Sequence, residues 1–245
     1  MSKLNNGRPP LAYEKEEFLR SSEGRSVRIL SEYLDPLREF RLKKVHDTIV
    51  FFGSARTPDP DTEAGKQNPM SRYYAEAREL AGRLTEWSIG LASVSPSHRL
   101  NRDGSQRMFV VCTGGGPGIM EAANRGAHDA GGKSIGLNIG LPFEQFPNSY
   151  ITEELNFEFH YFFMRKFWFA YLAKALVVFP GGFGTLDELT ELLTLAQTRK
   201  LDKKIVIILY GSSFWKEILN FEAMVKYGVI SPEDLDLFQF ADDPD

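Results

Sequence analysis

The chain has 245 residues, 42% hydrophobic and 25% charged, with 29 basic against 33 acidic side chains and a formal charge of −4. That composition suits a folded domain with a sizeable core, and the acidic balance excludes the basic footprint of a nucleic-acid binder. A single cysteine, Cys112, excludes an internal disulfide framework and a cysteine-rich metal site.

Cys112 lies in the apolar run Met108–Cys112 and reads as a buried, inert thiol. The four histidines, His46, His98, His128 and His160, are scattered without metal-ligand spacing, so no metal is expected. The polar start, with Pro9-Pro10, lacks the apolar stretch of a secretion signal. No apolar run approaches the ~18 residues a membrane span needs. The expectation is a cytoplasmic protein with neither membrane nor nucleic acid as partner.

Residues 1–12 read as a disordered tail, and 13–45 as one or two amphipathic helices that Pro36 interrupts or starts. From residue 46 to 245 the pattern alternates in what reads as one domain. Thr48–Phe52 is a strand ending at Gly53-Ser54, and 57–69 a Pro/Asp-rich loop. Ser71–Glu86 is a helix with Tyr74, Ala77, Leu80, Ala81 and Leu84 on one face. Residues 92–107 read as a polar surface insertion. Met108–Cys112 is a strand running into Thr113 and the glycine turn Gly114–Gly118, with a helix over Ile119–Ala130. Gly131-Gly132 reads as that helix's C-terminal stop rather than a P-loop, because a strand follows it instead of preceding it. Ser134–Ile139 is a strand, 141–158 a long loop, and Phe159–Ala173 an aromatic helix. Ala175–Phe179, Leu186–Arg199 and Ile205–Leu209 follow as strand, helix and strand. Phe214–Tyr227 is a last long helix before an acidic tail. Continuous Val/Ile/Phe strands alternating with helices indicate an α/β fold: a doubly wound parallel sheet with helices on both faces, plus an N-terminal helical arm. Ligands of such sheets bind at the carboxyl ends of the strands, where Gly53, Gly114–Gly118 and Gly181–Gly184 all fall.

Residues 180–188, Pro-Gly-Gly-Phe-Gly-Thr-Leu-Asp-Glu, carry the sharpest signal. Three glycines in four residues uncover the backbone at a helix start, where free N–H groups attract phosphate. Two acids, Asp187 and Glu188, lie beside that cradle. The same letters fit a capping box, with Thr185 as cap and Glu188 returning the bond. Gly114–Gly118 is a second strand-turn-helix phosphate arrangement, and it lacks the dinucleotide fingerprint because residue 119 is isoleucine. Arg165-Lys166 interrupts an apolar helix. Either the pair is a solvated stripe or Arg165 faces the acidic rim. Phe143, Glu144, Gln145 and Asn148 lie in a loop placed to touch a ligand.

Together, Gly114–Met120 (GGG-x-G-x-M), Met164–Lys166 and Pro180–Glu188 (PGGxGTxxE) resemble the "lonely guy", or LOG, family of nucleoside 5′-monophosphate phosphoribohydrolases, long labelled lysine decarboxylases. The resemblance covers about Thr48 to Leu209, and the flanks resemble its longer bacterial branch. It implies a Rossmann-like fold, a homodimer or higher homo-oligomer, no cofactor, and hydrolysis of a nucleoside monophosphate to free base and ribose 5-phosphate. The base it implies is a cytokinin or adenine. By matched position it implies catalytic roles for Glu188 and Arg165. It implies phosphate contacts from Gly181, Gly182, Gly184 and Thr185 and a ligand contact from Thr194. The glycine turns and loops add Gly53, Ser54, Gly115, Gly116, Gly118, Met120, Glu144, Lys166 and Asp187 as candidate substrate-binding residues. Compact members carry methionine three residues before the arginine, where this chain has Phe162, so base-side contacts are expected to differ. The competing expectations are a nucleotide sensor without turnover and an amino-acid decarboxylase; the latter would need a cofactor-bearing lysine.

Overall fold

The computed structural model describes residues 9–94, 108–140, 146–201 and 203–245. Its elements in chain order are α1 (Glu16–Arg20), α2 (Arg25–Leu42), β1 (Asp47–Phe52), α3 (Glu63–Lys66), α4 (Ser71–Val94), β2 (Phe109–Thr113), α5 (Ile119–Asp129), β3 (Ser134–Ile139) and β4 (Asn156–Phe159). They continue as α6 (Phe162–Leu172), β5 (Ala173–Val178), α7 (Phe183–Gln197), β6 (Val206–Tyr210), α8 (Ser212–Ile218), α9 (Phe221–Lys226) and β7 (Gln239–Ala241).

The seven strands form one sheet in the order β4-β3-β2-β1-β5-β6-β7, every pairing parallel. The chain builds outward from β1 to β4, then returns to the other side of β1 with β5. That reversal opens a crevice beyond the carboxyl ends of β1 and β5, the switch point of a doubly wound sheet. Both faces of the sheet are covered, which is why β1 is buried at every position. Val50 and Phe52 face a core with Trp168, Phe169, Leu189 and Trp215. Ile49 and Phe51 face a second core with Tyr73, Tyr74, Ala77, Ile119 and Phe179.

Several expectations from the sequence need correction. The 141–158 loop ends in strand β4, whose Phe157 and Phe159 are buried while Asn156 and Glu158 are exposed. The aromatic helix therefore starts at Phe162 instead of Phe159. The last long helix is broken into α8 and α9, and the acidic tail supplies edge strand β7. The 57–69 loop holds α3. Helix α2 runs through Pro36 without breaking. Helix α4 extends to Val94, and the expected insertion from residue 95 lies outside the described residues, as does Glu144 with Phe143 and Gln145. At the end of α5, Gly131 (φ +73°) donates to His128 O and Gly132 to Ala127 O, the double bond pattern of a glycine helix stop.

The N-terminal helices bear on the site. Phe40 packs edge-on against Phe157 and Trp168, and Tyr33 stacks on Trp168. Glu32 accepts the backbone N–H of His160 and of Tyr161 at the start of α6, and Trp168 Nε1 donates to its carbonyl. An acidic cap is favourable at a helix N-terminus. It fixes the helix that carries Arg165.

Candidate active site

A cavity of about 710 Å³ occupies the switch point. The turn after β1 contributes Gly53, Ser54 and Arg56, β2's turn Gly114, α5 Met120, and β3 Asn138. Helix α6 contributes Phe162 and Arg165, and the start of α7 contributes Gly182, Phe183, Gly184, Thr185 and Glu188.

Helix α7 begins at Phe183, with Gly182 as its N-cap and no side-chain cap bond. The capping-box alternative thereby falls, because Thr185 and Glu188 are already inside the helix. Position 188 sits on the inward face with Leu189 and Leu192, and Glu188 is 6% exposed. Its carboxyl accepts no hydrogen bond among the described residues. Its nearest charge is Arg165 Nη1, 4.0 Å from Oε1. Burial pushes the Glu188 carboxyl up to about 7, against the opposing pull of Arg165 and Lys166.

Arg165 is held from three sides. Its Nε donates to Leu137 O at 2.7 Å, and its guanidinium lies over the Phe169 ring at 5.1 Å. It also fits against Gly114, where a Cβ would stand 2.6 Å from Nη2. Burial lowers its pKa and Glu188 opposes that shift, while the guanidinium stays protonated at any working pH. A buried acid and a fixed cation thus share one wall, an arrangement suited to a perturbed, functional carboxyl.

Ser54 ties three turns together. Its N–H donates to Pro180 O at 3.0 Å, its carbonyl accepts from Ile119 N at 3.1 Å, and its hydroxyl accepts from Arg56 N at 3.1 Å. Gly53 leaves room for Ile119, whose side chain a Cβ would meet at 2.7 Å.

The remaining candidates from the sequence are distributed otherwise. Gly115, Gly116 and Gly118 are buried and do not line the cavity. Asn148 spends its amide on Gly115 O, Gly116 O and Asn124 Oδ1, so it braces the turn and does not line the cavity. Gly181 sits behind Thr185, whose Oγ1 a Cβ would meet at 2.1 Å. Lys166 pairs with Asp187 at 2.8 Å and Glu191 at 2.6 Å on the outer side of α6 and α7, so Lys166 and Asp187 lie outside the cavity of a single chain. Thr194 is exposed and bonds back to Thr190 O. It likewise does not line the cavity of a single chain.

Arg56, Asn138 and Phe183 line the cavity without having been singled out from the sequence. For Arg56 a signal existed: a cation two residues beyond the glycine turn of the first strand. Asn138 had only its place near the end of a strand. Cys112 is buried, and that burial pushes its thiol up, which makes it unreactive. Among the described residues no group of three or more His, Cys, Asp or Glu is arranged to hold a metal ion, and no helix is long and apolar enough to cross a membrane.

The model of the family described as possible lysine decarboxylase matches residues 120–245, and the chain belongs to this family, the LOG family. Over 129 residues it is 33% identical to the probable cytokinin riboside 5′-monophosphate phosphoribohydrolase LOGL5 of Oryza sativa subsp. japonica, covering 50% of each. Over 134 residues it is 31% identical to the cytokinin riboside 5′-monophosphate phosphoribohydrolase LOG3 of Arabidopsis thaliana, covering 52% of this chain and 59% of that one. The chain thus spans about half the length of the curated relatives it matches. The solved structure of TM1055 superposes with a TM-score of 0.50 at 19% identity over 80% of this chain and 93% of the other, a likeness of fold alone.

Proposed function

We propose that the chain hydrolyses the N-glycosidic bond of a nucleoside 5′-monophosphate, releasing free base and ribose 5-phosphate. The observation that carries this reading is Glu188: a nearly buried carboxyl on the cavity wall, without a hydrogen bond among the described residues, beside a fixed arginine and one helical turn from an uncapped helix start. Cleaving the bond develops positive charge on the ribose. The Glu188 carboxylate stabilises that charge or activates the attacking water. The open main chain at Gly182 and Gly184 receives the 5′-phosphate and fixes the sugar against the acid. Arg165 steadies the departing base.

The decarboxylase alternative has less support. Among the described residues lining the cavity there is no lysine to hold an aldehyde cofactor. Exposed Phe163, Phe167 and Tyr171 on α6 form an apolar face that we read as the contact with a second copy. A Phe167→Glu chain that remains dimeric in light scattering would remove that reading.

The deciding experiment incubates the chain with AMP and with cytokinin ribotides and follows free base by chromatography. Base release supports the hydrolase, whereas tight binding without release identifies a nucleotide sensor. With the carboxylate as the active form, kcat/KM should rise with pH and level off above about 7. In Glu188→Gln that limb should vanish.

A further inference from the structure

Among the described residues two arginines line the cavity, and they are not equivalent. Arg165 is committed: it donates to Leu137 O, rests on Phe169 and faces Glu188. Arg56 is exposed, and its side chain makes no hydrogen bond or ion pair among the described residues. Among the described residues no structural task accounts for a guanidinium there.

Its position is nonetheless well defined. The Arg56 N–H bonds the hydroxyl of Ser54, whose own N–H holds Pro180 O. The backbone of Arg56 is therefore coupled to the turn that opens α7. That helix has 15 residues, no side-chain cap, and nothing within 4 Å of where a Cβ would stand on Gly182 or Gly184. Its first-turn N–H groups have their positive end toward the cavity. An anion in this cavity would have both bare main chain and the Arg56 guanidinium on the walls around it, and that guanidinium offers the fork that phosphate prefers. That the cavity is built for a ligand has separate support in Glu188, 6% exposed on its wall and without a hydrogen bond among the described residues. Its nearest cation, Arg165, stands 4.0 Å away, so the carboxyl keeps its acceptor capacity for a ligand.

We infer that Arg56 receives the phosphate of the ligand and sets the site's preference for phosphorylated over unphosphorylated nucleosides. This rests on the reading above that the cavity takes a nucleoside monophosphate. It divides the labour between the two cations: Arg165 stays with the acid at the reacting end, and Arg56 serves the phosphate end. The glycine turn alone, with only partial charges, would discriminate less against a neutral hydroxymethyl group.

The test measures ribose 5-phosphate binding by calorimetry and AMP turnover for the unaltered chain, Arg56→Ala and Arg56→Lys. Arg56→Ala should weaken ribose 5-phosphate binding about 10- to 100-fold and raise KM for AMP by a similar factor, the range of one charge-assisted bond pair. The ratio of kcat/KM for AMP over adenosine should narrow correspondingly. Arg56→Lys should recover part of the loss, keeping the charge without the fork. Unchanged ribose 5-phosphate affinity in Arg56→Ala would overturn the inference, even while AMP hydrolysis upheld the hydrolase. A drop in melting temperature paralleling the lost affinity would overturn it too, by assigning Arg56 to the fold. If affinity falls as expected yet no variant releases base, the phosphate role of Arg56 stands and the hydrolase reading fails.

Discussion

Two glycine turns flank this cavity, alike in sequence and opposite in use. In the turn after β2, Gly115 and Gly118 have φ of +76° and +68°. A Cβ on Gly115 would stand 2.1 Å from Asn138 Oδ1, and one on Gly118 2.3 Å from Ser54 O. The carbonyls of Gly115 and Gly116 are occupied by Asn148. Those glycines let three loops pack. In the turn after β5, Gly182 and Gly184 have neither a positive φ nor a neighbour where a Cβ would go. Their missing side chains leave the main chain open to the cavity. Glycine count alone therefore does not mark a binding turn; the space beside each glycine does.

The largest expected effect sharpens the role of the open turn. Glu188→Gln should lower kcat for base release by ~10²–10⁴ if the carboxyl takes part in the chemistry. The same variant should be more stable than the parent at pH 8, by up to roughly 3 kcal/mol. The sign follows from the raised pKa: burial favours the protonated form, so as pH rises from 4.5 through about 7 the folded parent loses stability that the glutamine keeps. At pH 4 the two should melt alike. A variant that stayed active and melted lower at every pH would return Glu188 to a purely structural part.

Next in size is the closed turn. Gly118→Ala combines a left-handed φ with a backbone clash and should cost roughly 2–4 kcal/mol in denaturant unfolding. Smaller is Asn148→Ala, which strands the buried Gly116 carbonyl while the backbone N–H of residue 148 still holds Gly115 O, and should cost about 1–3 kcal/mol. The smallest stability effect belongs to Gly184→Ala in the open turn. Alanine suits the first turn of α7, so stability should hold or rise by at most about 1 kcal/mol. Its ribose 5-phosphate affinity should still fall. If Gly184→Ala unfolded the chain while Gly118→Ala did not, the contrast between the turns would be broken.

Five of the seven strands were legible because strands buried on both faces must be continuously apolar. The two that were not, β4 and β7, are edge strands of four and three residues. In β4 only Phe157 and Phe159 are buried, so Asn156 and Glu158 hide it inside a polar loop. In the site, Glu188 and Arg165 were legible from their motifs, while Lys166 and Asp187 share those segments, and Thr194 the helix that follows, without lining the cavity. Residues adjacent in sequence leave a helix about 100° apart, so a motif brings along neighbours that cannot face the same cavity. The ambiguity at Thr185 arose because glycine at a helix start looks like a loop; only the backbone shows α7 beginning at Phe183.

What the chain's order of residues determined by itself is the alternation of strands and helices, the parallel sheet and the acid beside a bare turn. Those follow from local periodicity and from glycine's lack of a side chain. What tertiary structure alone decided is which groups meet. Arg56 comes to the mouth of a helix that begins more than a hundred residues later, because Ser54 bonds Pro180 across the switch point. Arg165 meets Glu188 because α6 and α7 converge on one crevice. Such meetings depend on how the strands are ordered in space, and no local pattern encodes that order.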